Sequence, residues 1–334
     1  MPEQIKQLIT DLATTNDMQT KLSLGLVCHE FRNYLEKSPM KYTEVAITLH
    51  NEKVVVRLSA IFMFKYPDGS DTARTRKLLA EFYPHENGVM KKNRKLSEWR
   101  KYDFWEKVIP GDDYRKSAVQ YALELMGRPK TVVDKFVLKG FETYGLREYL
   151  NKFEESRGVI MDEMERIVKE FRNRLFVTRL QLDWQVDDSH IWQILPFLEP
   201  GTLVEIRSTM EVDRRKERPF LNLDLISETD QWKQAKKVCL PYYKCSLPFE
   251  KWENFEEVEL YLDRLPTLAL TIVQKFIERP MCKKLDITCK EEFEKEGVAD
   301  YWRGLRQDGK VKIASEPNIN FHIQINWSYI TRSP

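Results

Sequence analysis

The residues able to do covalent or metal chemistry are few, and their spacing works against it. His29, His50, His85, His190 and His322 are scattered, and no two stand at the i, i+4 spacing with which a helix presents a metal-binding pair. Zinc sites use cysteines separated by about two to four residues; here five residues separate Cys239 from Cys245, and six separate Cys282 from Cys289. Together with Cys28 these make five cysteines, an odd number that favours free thiols in a reducing compartment. They are expected to serve as small buried apolar residues. Cys28 and His29 are neighbours in a helical stretch, so their side chains point about 100° apart and do not form a pair.

The segment Gly127-Arg128-Pro129-Lys130-Thr131 ends like a phosphate loop. It lacks a glycine before the lysine, and Pro129 removes a backbone donor that such a loop uses. No Gly-x-Ser-x-Gly elbow is present. The pairs Glu256-Glu257 and Glu291-Glu292 read as solvated edges, since adjacency alone does not make an acid/base couple. No catalytic residue, metal or cofactor is assigned, and a non-enzymatic protein is expected.

Composition points the same way. The 334 residues carry 54 Lys plus Arg against 52 Asp plus Glu, a net charge of +2. Near neutrality argues against a dedicated nucleic-acid binder. The basic run at residues 91–101, with Trp99 inside it, is the one place that could favour nucleic acid or nuclear import; the competing reading is a solvated loop or helix face. Residues 214–218 take that second reading as well. Apolar runs such as residues 60–64 are far shorter than the ~20 residues of a membrane span. The opening Met1-Pro2-Glu3-Gln4 has no basic stretch leading into an apolar run, so no signal peptide is expected, and the location is read as cytoplasmic and/or nuclear.

The elements that would position a site change period along the chain. Ile5, Leu8, Ile9 and Leu12 form one helical stripe; Leu24, Val27, Cys28, Phe31 and Leu35 form a second, ended by Ser38-Pro39. Val45, Ile47 and Leu49, then Val54, Val56 and Leu58, alternate about Asn51-Glu52 as a hairpin. Residues 68–128 are hard to read, apart from a short helix over 117–126 ended by Gly127. From residue 130 a cue recurs, apolar-x-x-apolar-x-apolar: Val133/Phe136/Leu138, Val177/Leu180/Leu182, Leu203/Ile206/Ser208, Ala235/Val238/Leu240, Phe255/Val258/Leu260 and Cys282/Leu285/Ile287.

The last four intervals between cues average about 26 residues, within the ~20–29 of leucine-rich repeats. Helical stripes fall between cues, at 191–198 and 268–277, and Asp230-Gln231-Trp232-Lys233 allows one short turn. Phe321, Ile323, Ile325 and Trp327 alternate as a closing strand. The expected fold is therefore α/β: a small helical N-terminal piece over residues 1–40, a hairpin and connecting region over 41–130, and a leucine-rich-repeat-like stack of strand–helix units over 131–330. A compact α/β domain with evenly spaced strands is the alternative, because the intervals are irregular and the usual Asn or Cys slot of the repeat is filled otherwise. In the repeat reading, residues between the apolar positions face away from the core. The candidate partner-binding face is then Arg179, Gln181, Asp183, Glu205, Arg207, Glu257, Glu259, Tyr261, Lys284, Asp286 and Thr288. Its mixed charge suits a protein partner better than a phosphate backbone.

Pro2-Glu3 with Ile5, Leu8, Ile9 and Leu12, then Leu22, Leu24, Val27-Cys28, Phe31 and Arg32, resemble an F-box. The continuation through Tyr42-Thr43-Glu44-Val45 into the hairpin resembles the nematode F-box A family. Residues 194–200, 231–238 and 255–260 resemble that family's FTH domain. The resemblance implies a non-catalytic substrate-receptor subunit of a Skp–cullin–F-box ubiquitin ligase. Pro2, Ile5, Leu8, Ile9, Leu12, Leu24, Val27, Cys28 and Phe31 would then dock the Skp-type adaptor, and through it cullin, while the second half binds a protein substrate. Helices this short need a partner for their stripe, either the adaptor or the chain's own hairpin. Two other readings stay open: an interaction scaffold with a vestigial F-box, and a nuclear nucleic-acid binder using residues 91–101.

Overall fold

The computed structural model describes residues 41–65, 71–96, 104–140, 147–171, 174–183, 193–208, 220–245, 249–262 and 284–289. The two expected N-terminal helices lie outside these, as do the stripe at 268–277 and the alternation at 321–327. The chain divides into two compact units, Met1–Thr178 and Arg179–Pro334. The described residues form a mixed α/β structure, mainly strands with few helices.

In the first unit the hairpin forms where the alternation places it. β1 (Lys41–Tyr42) and β2 (Glu44–Leu49) are separated only by Thr43, and β2 pairs antiparallel with β3 (Val54–Lys65). Val45, Ile47, Val54, Val56 and Leu58 are fully buried, each burial contributing about 1.5–3 kcal/mol. The sheet continues antiparallel through β4 (Asp71–His85), β5 (Gly88–Leu96) and β6 (Phe104–Ile109). These three strands replace the stretch that the sequence left hard to read. The β4–β5 turn needs Gly88: its φ is 133°, and a Cβ there would lie 2.5 Å from the Ile109 carbonyl oxygen.

Helix α1 (Tyr114–Met126) starts at Asp113, whose carboxylate accepts from the Arg115 backbone N–H at 2.7 Å, and ends at Gly127. It packs on β2, β3 and β4, and leads into β7 (Val132–Gly140), which runs parallel to β1 and β2. Helix α2 (Arg147–Glu170) packs against α1. Its buried stripe is Ile160, Met161, Met164, Ile167 and Val168, the spacing of one helical face.

The basic run was expected as a loop or helix face. Its described part is strand β5, and the charges there are engaged. The Lys91 ammonium sits 3.4 Å from the Tyr121 ring centroid, and Lys92 pairs with Glu106 of the neighbouring strand at 2.9 Å.

In the second unit, β8 (Phe176–Asp183), which crosses the boundary, pairs from Arg179 onward with β9 (Glu205–Ser208). Next come β11 (Lys237–Cys245), β12 (Glu257–Leu262) and β13 (Lys284–Cys289), all parallel and in chain order, with the short β10 (Phe220–Leu221) beside β11. The links are brief: one-turn 3-10 segments at Leu195–Phe197, Ile226–Glu228 and Phe249–Trp252, and helix α3 (Asp230–Gln234). Thr229 caps α3 through its hydroxyl, which accepts from Trp232 N–H at 3.2 Å. The Trp232 indole donates to the Lys251 carbonyl at 2.8 Å and stacks edge-on to Phe255 at 4.9 Å. Gln231, also buried, donates to the Leu198 carbonyl at 2.7 Å. These three contacts tie the short links to the strands.

Candidate functional site

The pairing register decides which side chains share a face. Leu180, Ile206, Val238, Val258 and Leu285 stand opposite one another across β8, β9, β11, β12 and β13. Leu182 and Ser208, and then Leu240, Leu260 and Ile287, are likewise opposed. These are the second and third positions of successive cues. Those whose side chains are described are buried, so alternation turns the intervening residues to the other face.

Ser208 explains why a polar residue holds an apolar slot. It is fully buried, donates to the Leu182 carbonyl at 3.0 Å and shares a hydrogen bond with the Tyr243 hydroxyl at 3.2 Å. A buried hydroxyl with two partners carries little penalty.

The other face carries two rows. In the first, Arg179, Glu205, Lys237, Glu257 and Lys284 are register partners and alternate in sign. In the second, Gln181, Arg207, Cys239, Glu259 and Asp286 are register partners. Tyr261 stands opposite Thr288 further along. Asp183 lies beside its row, accepting both its bonds from the Gln181 amide, at 2.6 and 2.7 Å. The structure thus brings the predicted partner-binding residues of β8, β9, β12 and β13 onto consecutive strands. Lys237 and Cys239, which complete the rows on β11, were not among them. Their signal was present: they are the residues flanking Val238 in the cue Ala235/Val238/Leu240. The predicted adaptor-binding residues Pro2, Ile5, Leu8, Ile9, Leu12, Leu24, Val27, Cys28 and Phe31 lie outside the described residues.

The rows are cross-linked by charge. Lys237 Nζ lies 2.5 Å from Glu257 Oε1, and Arg207 Nε donates to Glu205 at 2.6 Å. Burial works against the Arg207 charge, but the Glu205 hydrogen bond and the fields of Cys239, Glu205 and Glu259 outweigh it and raise its pKa. Burial, reinforced by Glu259, pushes the Cys239 thiol well above its ordinary value. Cys239 is therefore a protonated donor to the Glu259 carboxylate at 3.0 Å, the opposite of an activated nucleophile. Among the described residues no group of three His, Cys, Asp or Glu side chains could hold a metal, and no helix is long and apolar enough to cross a membrane. The face offers alternating charges and hydrogen-bonding groups on a rigid backbone, which suits recognition.

Residues 159–299 match the FTH domain family, a span that begins within α2 and takes in β8 to β13. The FTH domain is a family associated with F-box proteins. No curated protein and no solved structure matches the chain.

Proposed function

We propose that the chain is the non-catalytic substrate receptor of a Skp–cullin–F-box ubiquitin ligase. Residues 1–40 form the F-box that docks the Skp-type adaptor, and the parallel strands of the second unit form a leucine-rich-repeat-like stack that binds a protein target. The FTH domain at residues 159–299 carries this reading, because its family is associated with F-box proteins. Two further points support it. The first 37 residues bear the apolar pattern of an F-box. The second unit presents in-register rows of mixed charge, which match a folded protein surface better than a polyanion. The protein makes no covalent bond itself in this reading, takes no cofactor, and works in the cytoplasm, the nucleus or both.

The test is affinity capture of the tagged full-length chain compared with its Leu8→Lys and Val27→Lys variants, read by mass spectrometry. Adaptor and cullin are expected with wild type and lost with either variant, while target proteins stay. Capture of targets without adaptor by wild type would replace the ligase reading with an interaction scaffold.

A further inference from the structure

The first unit contains a cleft of about 570 Å³, within the range of ligand pockets. Its lining includes Tyr83 and Pro84 at the end of β4, Tyr114 and Arg115 at the start of α1, Glu52 of the β2–β3 turn and Glu155 of α2. It therefore combines two aromatic rings and a proline ring with two exposed carboxylates.

The charges around it do not balance. Arg115 is held by Asp113, with Nε at 3.0 Å and Nη2 at 2.6 Å from the carboxylate, and Nη1 donates to Ser156 at 3.1 Å. The two lysines over the Tyr83 ring are also paired, Lys53 with Glu81 and Lys92 with Glu106, each at 2.9 Å. Among the described residues no ion pair reaches Glu52, and Glu155 has only the outer Arg115 nitrogen at 3.4 Å. Both carboxylates act on one ring: burial is the main cause raising the Tyr114 pKa, Arg115 opposes it, and Asp113, Glu155 and Glu52 add to it.

We propose that this cleft receives a basic side chain, arginine by preference, from a protein partner. The cation is countered by Glu52 and Glu155, and the stem and guanidinium plane lie on Tyr83, Tyr114 and Pro84. A guanidinium stacks on aromatic faces better than an ammonium. A peptide is the fitting source, because Glu52 and Glu155 are exposed and leave the rest of the ligand in water, as a peptide backbone requires.

The test uses the full-length chain and Nα-acetyl-arginine amide, followed by saturation-transfer NMR, with Nα-acetyl-citrulline amide as the neutral counterpart and free arginine as the non-peptide source. Saturable binding of the capped arginine is expected, about fivefold weaker for citrulline. Glu52→Gln and Glu155→Gln should each weaken it, and both are exposed substitutions whose unchanged melting would show an intact fold. Free arginine, with its own carboxylate, should bind less well than the capped form. No binding of the capped probe, equal binding of citrulline, or indifference to both substitutions would overturn the site. Equal binding of free arginine would overturn the peptide as its occupant.

Discussion

Cys239 Sγ lies 3.0 Å from a carboxylate oxygen of Glu259, across the β11–β12 register pair, in the middle of the mixed-charge face. Burial and that bond keep the thiol protonated, so it works as a hydrogen-bond donor. In the native protein at pH 8, Cys239 should therefore react with iodoacetamide far more slowly than in urea. Cys239→Ala should cost about 1 kcal/mol by leaving the carboxylate without its donor, and Cys239→Ser should cost less because a hydroxyl still donates. Urea unfolding of the two variants checks this; equal losses would show that the bond contributes nothing.

Ser208 is the polar member of an apolar row. Ser208→Val keeps the shape but deprives the Leu182 carbonyl and the Tyr243 hydroxyl of a partner, a loss of about 1–3 kcal/mol. Adding Tyr243→Phe should restore part of it. A double-mutant cycle by denaturant unfolding reads the coupling, and strict additivity would refute it.

Lys237 and Glu257 are each about a third exposed, 39% and 32%, so their ion pair is worth at most about 1 kcal/mol to folding. Its larger effect should fall on recognition. Lys237→Glu places three acids in a row, Glu205, residue 237 and Glu257, and should weaken target capture while the melting temperature moves little. Charge reversal at Glu259 and Asp286 should do the same. Unchanged capture with all of these would remove this face from target binding.

Acid should destabilise the first unit through His50. Burial, then the Lys53 charge, hold its pKa below the ordinary 6.5, against the pull of Glu81. As pH falls below about 6.5 the unfolded chain takes up a proton that the folded one resists, so stability is lost. His50→Gln should flatten that part of a urea-midpoint profile between pH 7 and 5. A profile unchanged by the substitution would place the acid sensitivity elsewhere.

The sequence was most legible where one strand carries its own pattern. Val45 to Leu49 and Phe255 to Leu260 each alternate cleanly, and both are strands with those residues inward. Strands β4 and β5 escaped because charged residues occupy buried or half-buried slots and are satisfied from neighbouring strands. Glu81 is 4% exposed and bonded to Lys53, and Lys91 lies on the Tyr121 ring. Such partners are invisible in a single-strand pattern. Helix α2 had a readable stripe from Ile160 to Val168, but Gly158 interrupts its middle and lowers the local propensity. On the site, Lys237 and Cys239 were missed although the cue frame already placed them, because only pairing shows that β11 lies between β9 and β12.

The most direct measurement is binding of the purified full-length chain to a purified Skp-type adaptor, by calorimetry or gel filtration, with Leu8→Lys alongside. A stoichiometric complex with wild type that Leu8→Lys abolishes, at unchanged melting temperature, is the expected result. No complex with wild type, or one that Leu8→Lys leaves intact, would contradict the receptor role.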